Sequence, residues 1–326
     1  MNYITRRKVG KSYHYFDGDE RLTDEAEIQR INSLAIPPAW QRVEIAKGKR
    51  TKVQARGYDA AGRQQSIYHP TFRIKQEKLK FDRILRFADA LPALRRQLKK
   101  DLVKKKLSKE KVLATIITLI DEAYFRVGSD IYAREHKTYG ITTLRSKHAD
   151  ISTTTVTFDF VGKSGKEHIK TIKNPQIARI IKQLDDLPGY EIFRYQDAKG
   201  LVHDLHASDV NAYIKQYMGD EFTAKDFRTW GGTLLATSAV IEEELAEDAT
   251  KTAKKRVISQ VVQRVAKRLG NTPAIARASY IDPRVFVAFE EGVSLDKVRR
   301  AMNTMRPKRY MSIDEQCVLQ LLAATK

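Results

Sequence analysis

A chain of 326 residues with 60 Lys and Arg against 40 Asp and Glu carries a formal net charge of +20. Such a surplus sets a positive field over part of the surface and favours a polyanion, above all a nucleic-acid backbone that releases condensed counterions on binding. A single cysteine excludes an intramolecular disulfide, no stretch approaches the roughly 18 apolar residues of a membrane span, and the sequence holds neither a glycine-rich nucleotide loop nor a Cys/His cluster at metal-ligand spacing.

The expectations are therefore no metal, no nucleotide, no other cofactor and no membrane. Cys317, in the apolar run "CVLQLLAA", reads as a small buried hydrophobe of a reducing compartment. The amino terminus "MNYITRRKVGKSYHYF" lacks the apolar run of a secretory signal, so a cytoplasmic protein is expected.

The length allows two domains, since one usually takes roughly 100 to 200 residues. Residues 1–76 are expected to form a small, β-rich domain. It has an Asp17–Gly18 turn in "YFDGDER", one helix near "DEAEIQRINSLA", and two strands of "KVQARGYDAAGRQQSIYH" meeting around Asp59 to Gly62. In "FRIKQEKLKFDRILRFADALPALRRQL" the period turns helical, with Phe81, Ile84, Leu85 and Phe87 set between charges, so residues 77–326 are expected to form a mainly α domain.

Within it, "KKDLVKKKLSKEKVLATIITLIDEAYFRVG" begins as a lysine-dense turn and ends in an apolar helix. Lys99 to Lys111 is either a solvated face or a DNA contact. β-Branched residues alternate through "ISTTTVTFDFVGKSGKEHIKTIK" about a turn at Gly162 to Gly165, which predicts a β-hairpin. Amphipathic helices are predicted near 174–187, 207–217, 225–246 and 251–269, then a short helix and a final one. The acidic run Ile241 to Asp248 reads as an exposed helix end. The fold class is thus α+β, a β-rich amino-terminal domain followed by a mainly α domain with a small sheet.

The short helix lies in "LGNTPAIARASYIDP", residues 269–283. Gly270 suits the end of the preceding helix, Thr272 an N-cap and Pro273 a first helical position, which pins Asn271 between two helices. From Asn271 to Tyr280 is about 13 Å of helix rise, so the two side chains could lean on one phosphate without touching. Taken alone, Tyr280 is more simply a packing residue.

Its company changes that reading. "AYFRVGSDIY", "FVGKSGKEH" and "KDFRTWGGTLLA" each set a cation beside glycine or aromatic residues. With "ASYIDP" these blocks resemble the type IB DNA topoisomerases in their small, poxvirus-like and bacterial form, and "YHPTFRIKQEKLKFDRI" resembles the block joining that family's two domains. The likeness spans roughly residues 36–283, with the family's block order and spacing.

The resemblance implies that Tyr280 attacks a DNA phosphodiester, forming a 3′-phosphotyrosyl link and freeing a 5′-hydroxyl strand. It implies that Arg126 and Arg228 bind the phosphoryl oxygens and that Lys163 protonates the departing 5′ oxygen. Much of the family has histidine at position 271. Asn271 can donate the same hydrogen bond to a nonbridging oxygen but cannot transfer a proton. Lys225 matches a basic residue that assists at the phosphate. Tyr132 and Tyr68 fall where the family places aromatic contacts to DNA, with packing as the alternative, and Arg56, Arg63 and Arg73 make the β-rich domain a second jaw around the duplex.

The chemistry holds without the family name. A phenol ordinarily titrates near 10, so about one in a thousand is ionised at pH 7, a deficit of roughly 4 kcal/mol. Nearby guanidinium groups favour the anion and stabilise charge developing on phosphorus-bound oxygens, and arginine never gives up its proton. Expelling an alkoxide calls for a donor, which a lysine among cations can be. The phosphoester energy stays in the tyrosyl bond, so resealing needs no nucleotide. The expected protein is a monomeric clamp on duplex DNA. The alternatives are a tyrosine recombinase, whose usual second box has histidine before the arginine where "KDFR" has Lys225, and a basic DNA-binding protein without chemistry.

Overall fold

A computed structural model describes residues 3–10, 12–60, 62–243 and 249–325. The chain divides into two compact units, Met1–Phe81 and Asp82–Lys326.

The first unit is a six-stranded antiparallel sheet with one helix. Its strands are β1 (Tyr3–Val9), β2 (Ser12–Asp17), β3 (Glu20–Arg21), β4 (Gln41–Ala46), β5 (Val53–Tyr58) and β6 (Gln64–Tyr68), in the spatial order β3-β2-β1-β4-β5-β6. Tight turns at Gly18 and Gly62, both at positive φ, reverse the chain where the sequence places Asp-Gly and Ala-Gly. Helix α1 (Glu25–Ser33) starts at Asp24, whose carboxylate accepts from the Ala26 and Glu27 amides. Its Ile31 packs with Ile4, Val43, Ile45 and Ala55 into a small separate core.

Helix α2 (Pro70–Leu102) carries the chain past the division between the units. The second unit continues with α3 (Lys109–Ala123) and α4 (Asp130–His136). Three strands follow, β7 (Ala149–Ile151), β8 (Thr155–Val161) and β9 (Glu167–Lys173), so the predicted hairpin is two-thirds of an antiparallel sheet. Next come α5 (Pro175–Asp185), the β10 (Arg194–Gln196) and β11 (Val202–Asp204) hairpin, α6 (Ala207–Met218), α7 (Ala224–Glu242), α8 (Lys251–Leu269) and α9 (Pro273–Tyr280).

The chain ends in α10 (Arg284–Glu291), α11 (Val293–Met302) and α12 (Ile313–Ala324), three helices where the sequence suggests one. Gly292, at φ 82°, separates α10 from α11, and Ser312 caps α12 in a reciprocal box with Glu315. Helix α7 ends at Glu242, and residues 244–248 of the acidic run lie outside the described residues.

Helices α3 and α7 are buried almost all round, as expected of elements at the centre of a core. Phe87 of α2 meets Phe227 of α7 edge to face at 5.0 Å, and Phe125 stacks on Phe160 of β8 at 5.8 Å. Helix α7 is fixed at its start by Asp226, which accepts from the Thr223 amide and hydroxyl and from Arg83 of α2 at 2.5 Å. Cys317 is a free, fully buried thiol. Among the described residues no helix is long and apolar enough to cross a membrane.

Candidate active site

The local chemistry at 269–280 places two functional side chains at once. Gly270 ends α8 in the left-handed region at φ 64°, Thr272 caps α9 by accepting from the Ile275 amide, and Pro273 opens it. Asn271 therefore sits in the middle of a three-residue joint between helices, and Tyr280 at the last turn of a helix only eight residues long.

Helix α7 fixes the tyrosine. Arg228 lies with its guanidinium carbon 5.1 Å from the Tyr280 ring centroid. One turn on, a Cβ at Gly232 would stand 2.4 Å from the Tyr280 carbonyl oxygen, so only glycine lets that backbone approach. The next residue, Thr233, donates its hydroxyl to the Tyr280 carbonyl at 3.4 Å and accepts from the Asp282 amide at 3.0 Å.

Arg126 follows α3, which ends with Tyr124 in the left-handed conformation. The stretch after it pairs with residues 141 and 142, the Ile141 amide donating to the Arg126 carbonyl at 2.8 Å. The Arg126 guanidinium donates to the Asn271 side-chain oxygen at 2.5 Å and to the Gly270 carbonyl at 3.3 Å. With that oxygen occupied, the Asn271 amide nitrogen is left as a donor, and it is buried with no acceptor. Arg228, 3% exposed, donates to the Tyr124 carbonyl at 2.6 Å and the Leu269 carbonyl at 2.7 Å, and its Nε is likewise buried without an acceptor.

Neither arginine meets a carboxylate among the described residues. They are held by main-chain carbonyls at the carboxyl ends of α3 and α8, where the helix dipoles concentrate about half a negative charge each. Burying a cation without a counter-ion is costly. Burial, then the neighbouring Arg228, pulls the Arg126 guanidinium down to about 10, while Tyr280 opposes. Burial likewise lowers Arg228 against the opposing Tyr280. Two unneutralised guanidinium groups and two orphaned donors around one phenol make a site for a tetrahedral oxyanion.

Lys163 stands at the tip between β8 and β9, where Gly162 accepts from the Gly165 amide and donates to the Lys166 carbonyl. Its exposed side chain lines one shallow cleft with Arg126, Arg228, Tyr124, Tyr139, Phe160, His168 and Lys170. Two of these escaped sequence reasoning. His168 stacks on Phe160 at 5.2 Å and is pushed down to about 4, by burial first and then by the surrounding cations. Lys170 donates to the Ala123 carbonyl at 2.6 Å. Their alternation along β9 was visible, but the packing of His168 on Phe160 and the reach of Lys170 to the end of α3 were not.

The residues expected to touch DNA are spread more widely. Lys225 is exposed on the first turn of α7, and Tyr132 is 37% exposed on α4, its ring 5.7 Å from His136. In the first unit, Tyr68 is 41% exposed and 5.4 Å from the Phe72 ring, Arg73 and Arg56 are exposed, and Arg63 is bound to Asp59 at 2.7 Å. That unit also stacks Arg6, Arg7 and Arg42 over Tyr13, Phe16 and Tyr58, at 4.3, 4.4 and 4.1 Å.

The chain is similar to known proteins over most of its length. Residues 69–299 match the family described as "Eukaryotic DNA topoisomerase I, catalytic core", and residues 12–59 match "Bacterial DNA topoisomerase IB, N-terminal domain". The chain is 34% identical over 324 residues to DNA topoisomerase 1B of Acanthamoeba polyphaga mimivirus, covering 94% of this chain and 96% of that one. It is 25% identical over 248 residues to DNA topoisomerase I of Monkeypox virus, covering 75% and 74%. It is 27% identical over 218 residues to DNA topoisomerase 1 of Mycosarcoma maydis, covering 61% of this chain and 21% of that protein.

Proposed function

The chain belongs to the type IB DNA topoisomerases, and we propose that it relaxes supercoiled duplex DNA by a transient single-strand nick carried on Tyr280. The Tyr280 oxygen attacks the phosphorus of a phosphodiester as its proton leaves to water. The bond from phosphorus to the 5′ oxygen breaks, and that oxygen takes a proton from Lys163. A 3′-phosphotyrosyl link and a free 5′-hydroxyl result. The strand rotates, the hydroxyl attacks the same phosphorus, and the tyrosine is released.

Arg126 and Arg228 bind the nonbridging oxygens with hydrogen bonds that strengthen as charge develops, and the Asn271 amide donates to one of them. No acid or base work falls to Asn271. Lys225, Tyr132, Tyr68 and Arg73 contact the duplex, and the protein acts as a cytoplasmic monomer. One observation carries this reading: buried Arg228 and half-buried Arg126 are held beside Tyr280 by carbonyl and amide oxygens, with no carboxylate partner among the described residues, and an incoming phosphate supplies the missing counter-charge. The match of residues 12–59 supports a topoisomerase over a recombinase.

The test incubates the protein with supercoiled plasmid in EDTA without ATP and traps it with SDS. Relaxed plasmid and protein attached to 3′ ends are expected. Protein on 5′ ends, or relaxation with no adduct, refutes the mechanism.

A further inference from the structure

The cation cluster has a third, half-buried member with no role in the steps above. Lys170 of β9 lines the same cleft as Arg126 and Arg228, with its ammonium on the Ala123 carbonyl at 2.6 Å and 5.3 Å from the Phe125 ring centroid. Ala123 and Tyr124 are consecutive at the end of α3, so one helix terminus holds Lys170 by the first carbonyl and Arg228 by the second.

The groups around Lys170 are almost all unable to change charge. Arg126 comes from the stretch after α3, Arg228 from α7 and Arg268 from α8. Arginines stay protonated. His168, two residues away on β9, is neutral at pH 7, and the Tyr124 phenol is pushed up to about 12, by burial first. Lys163 and Lys166 flank the cleft from the hairpin tip, and Tyr280 lies beyond the arginines. No carboxylate faces the Lys170 ammonium among the described residues.

We propose that Lys170 is a proton-linked positioning residue: it takes up a proton as the phosphodiester enters and returns it when DNA leaves. This rests on the reading of the cleft as the phosphate site. Two arginines lining the cleft, with Arg268 acting from the surface of α8, disfavour a further cation, and a phosphate anion reverses the balance. Burial, then Arg228, Arg268 and Arg126, already bring Lys170 down to about 7 without DNA.

The sign follows. Below pH 7 Lys170 is charged before DNA arrives, so binding takes up little. Above pH 7 it is largely neutral, so binding carries a proton in, and affinity falls with pH by up to about tenfold per unit. The proton keeps the ammonium on the Ala123 carbonyl, and with it the carbonyl pair that orients Arg228.

The experiment is titration calorimetry of a short duplex into Tyr280→Phe protein, which blocks cleavage, in HEPES and in Tris at pH 8 and in MES and in acetate at pH 5.5. The dependence of the heat on buffer counts protons. At pH 8 the uptake is expected to exceed that of the Tyr280→Phe, Lys170→Met double variant by roughly half to one proton, a difference that vanishes at pH 5.5. Should the methionine fail to fold, Lys170→Arg keeps a permanent charge and is expected to bind with the same loss of uptake. Equal uptake with and without Lys170 at pH 8 overturns the proposal. The reading of the site fails separately, through a missing 3′ adduct in wild-type protein.

Discussion

Arg95 and Arg228 both reach residues at the carboxyl-terminal end of α3, yet they are held in opposite ways. Arg95 of α2 grips Asp121 of α3 at 2.7 and 3.0 Å and Glu315 of α12 at 2.9 and 2.8 Å. Glu315 in turn accepts from the Trp230 indole of α7 at 3.2 Å. Burial would lower Arg95, but the two carboxylates outweigh it and hold the guanidinium well above its ordinary range. Arg228, two residues from Trp230, has main-chain carbonyls and the Tyr280 phenol but no carboxylate, and burial leaves it lowered. A carboxylate-paired arginine is neutralised and serves as cement. A carbonyl-held one keeps a full charge for a ligand that has yet to arrive.

Substitutions can break or sharpen this contrast. Tyr280→Phe removes the group on which the second arrangement converges, and plasmid relaxation should fall by more than about 10³-fold. Filter binding should show DNA affinity within about twofold of wild type, and equal relaxation would mean that Arg228 is aimed at nothing. Arg95→Leu leaves two buried carboxylates unpaired and is expected to cost about 3–5 kcal/mol of stability, read as a lowered midpoint in denaturant unfolding. Arg228→Met should do the reverse, leaving stability unchanged or raised because an unneutralised charge is lost, while single-turnover cleavage slows about 10²- to 10³-fold. A stability loss as large as that of Arg95→Leu would erase the distinction. Asn271→Leu removes one donor and is expected to slow cleavage about tenfold, whereas Asn271→His should stay within that margin of wild type.

Much of the site could be read from local chemistry. Gly270, Thr272 and Pro273 obey helix-end rules that act within a few residues, so the joint holding Asn271 was foreseeable. The Gly162–Gly165 turn carrying Lys163 was foreseeable for the same reason. Lys170 and His168 were not, because β9 reads as an ordinary strand until Ala123, 47 residues earlier, supplies a carbonyl. The Arg95 cement was equally hidden, since its partners lie 26 and 220 residues away. The helices after Tyr280 were undercounted because Gly292 breaks an otherwise continuous amphipathic stretch.

The tethers at Ala123, Tyr124, Leu269 and Gly270 are peptide oxygens, which every amino acid possesses. Replacing a side chain at any of these places cannot delete the grip itself; only bending the chain can. The orientation of the arginines is therefore written in backbone geometry, and related proteins could share it while differing in residue type at Ala123 and Leu269, whereas Gly270, at positive φ and with a Cβ position only 2.0 Å from the His168 ring, ties that geometry to one residue type.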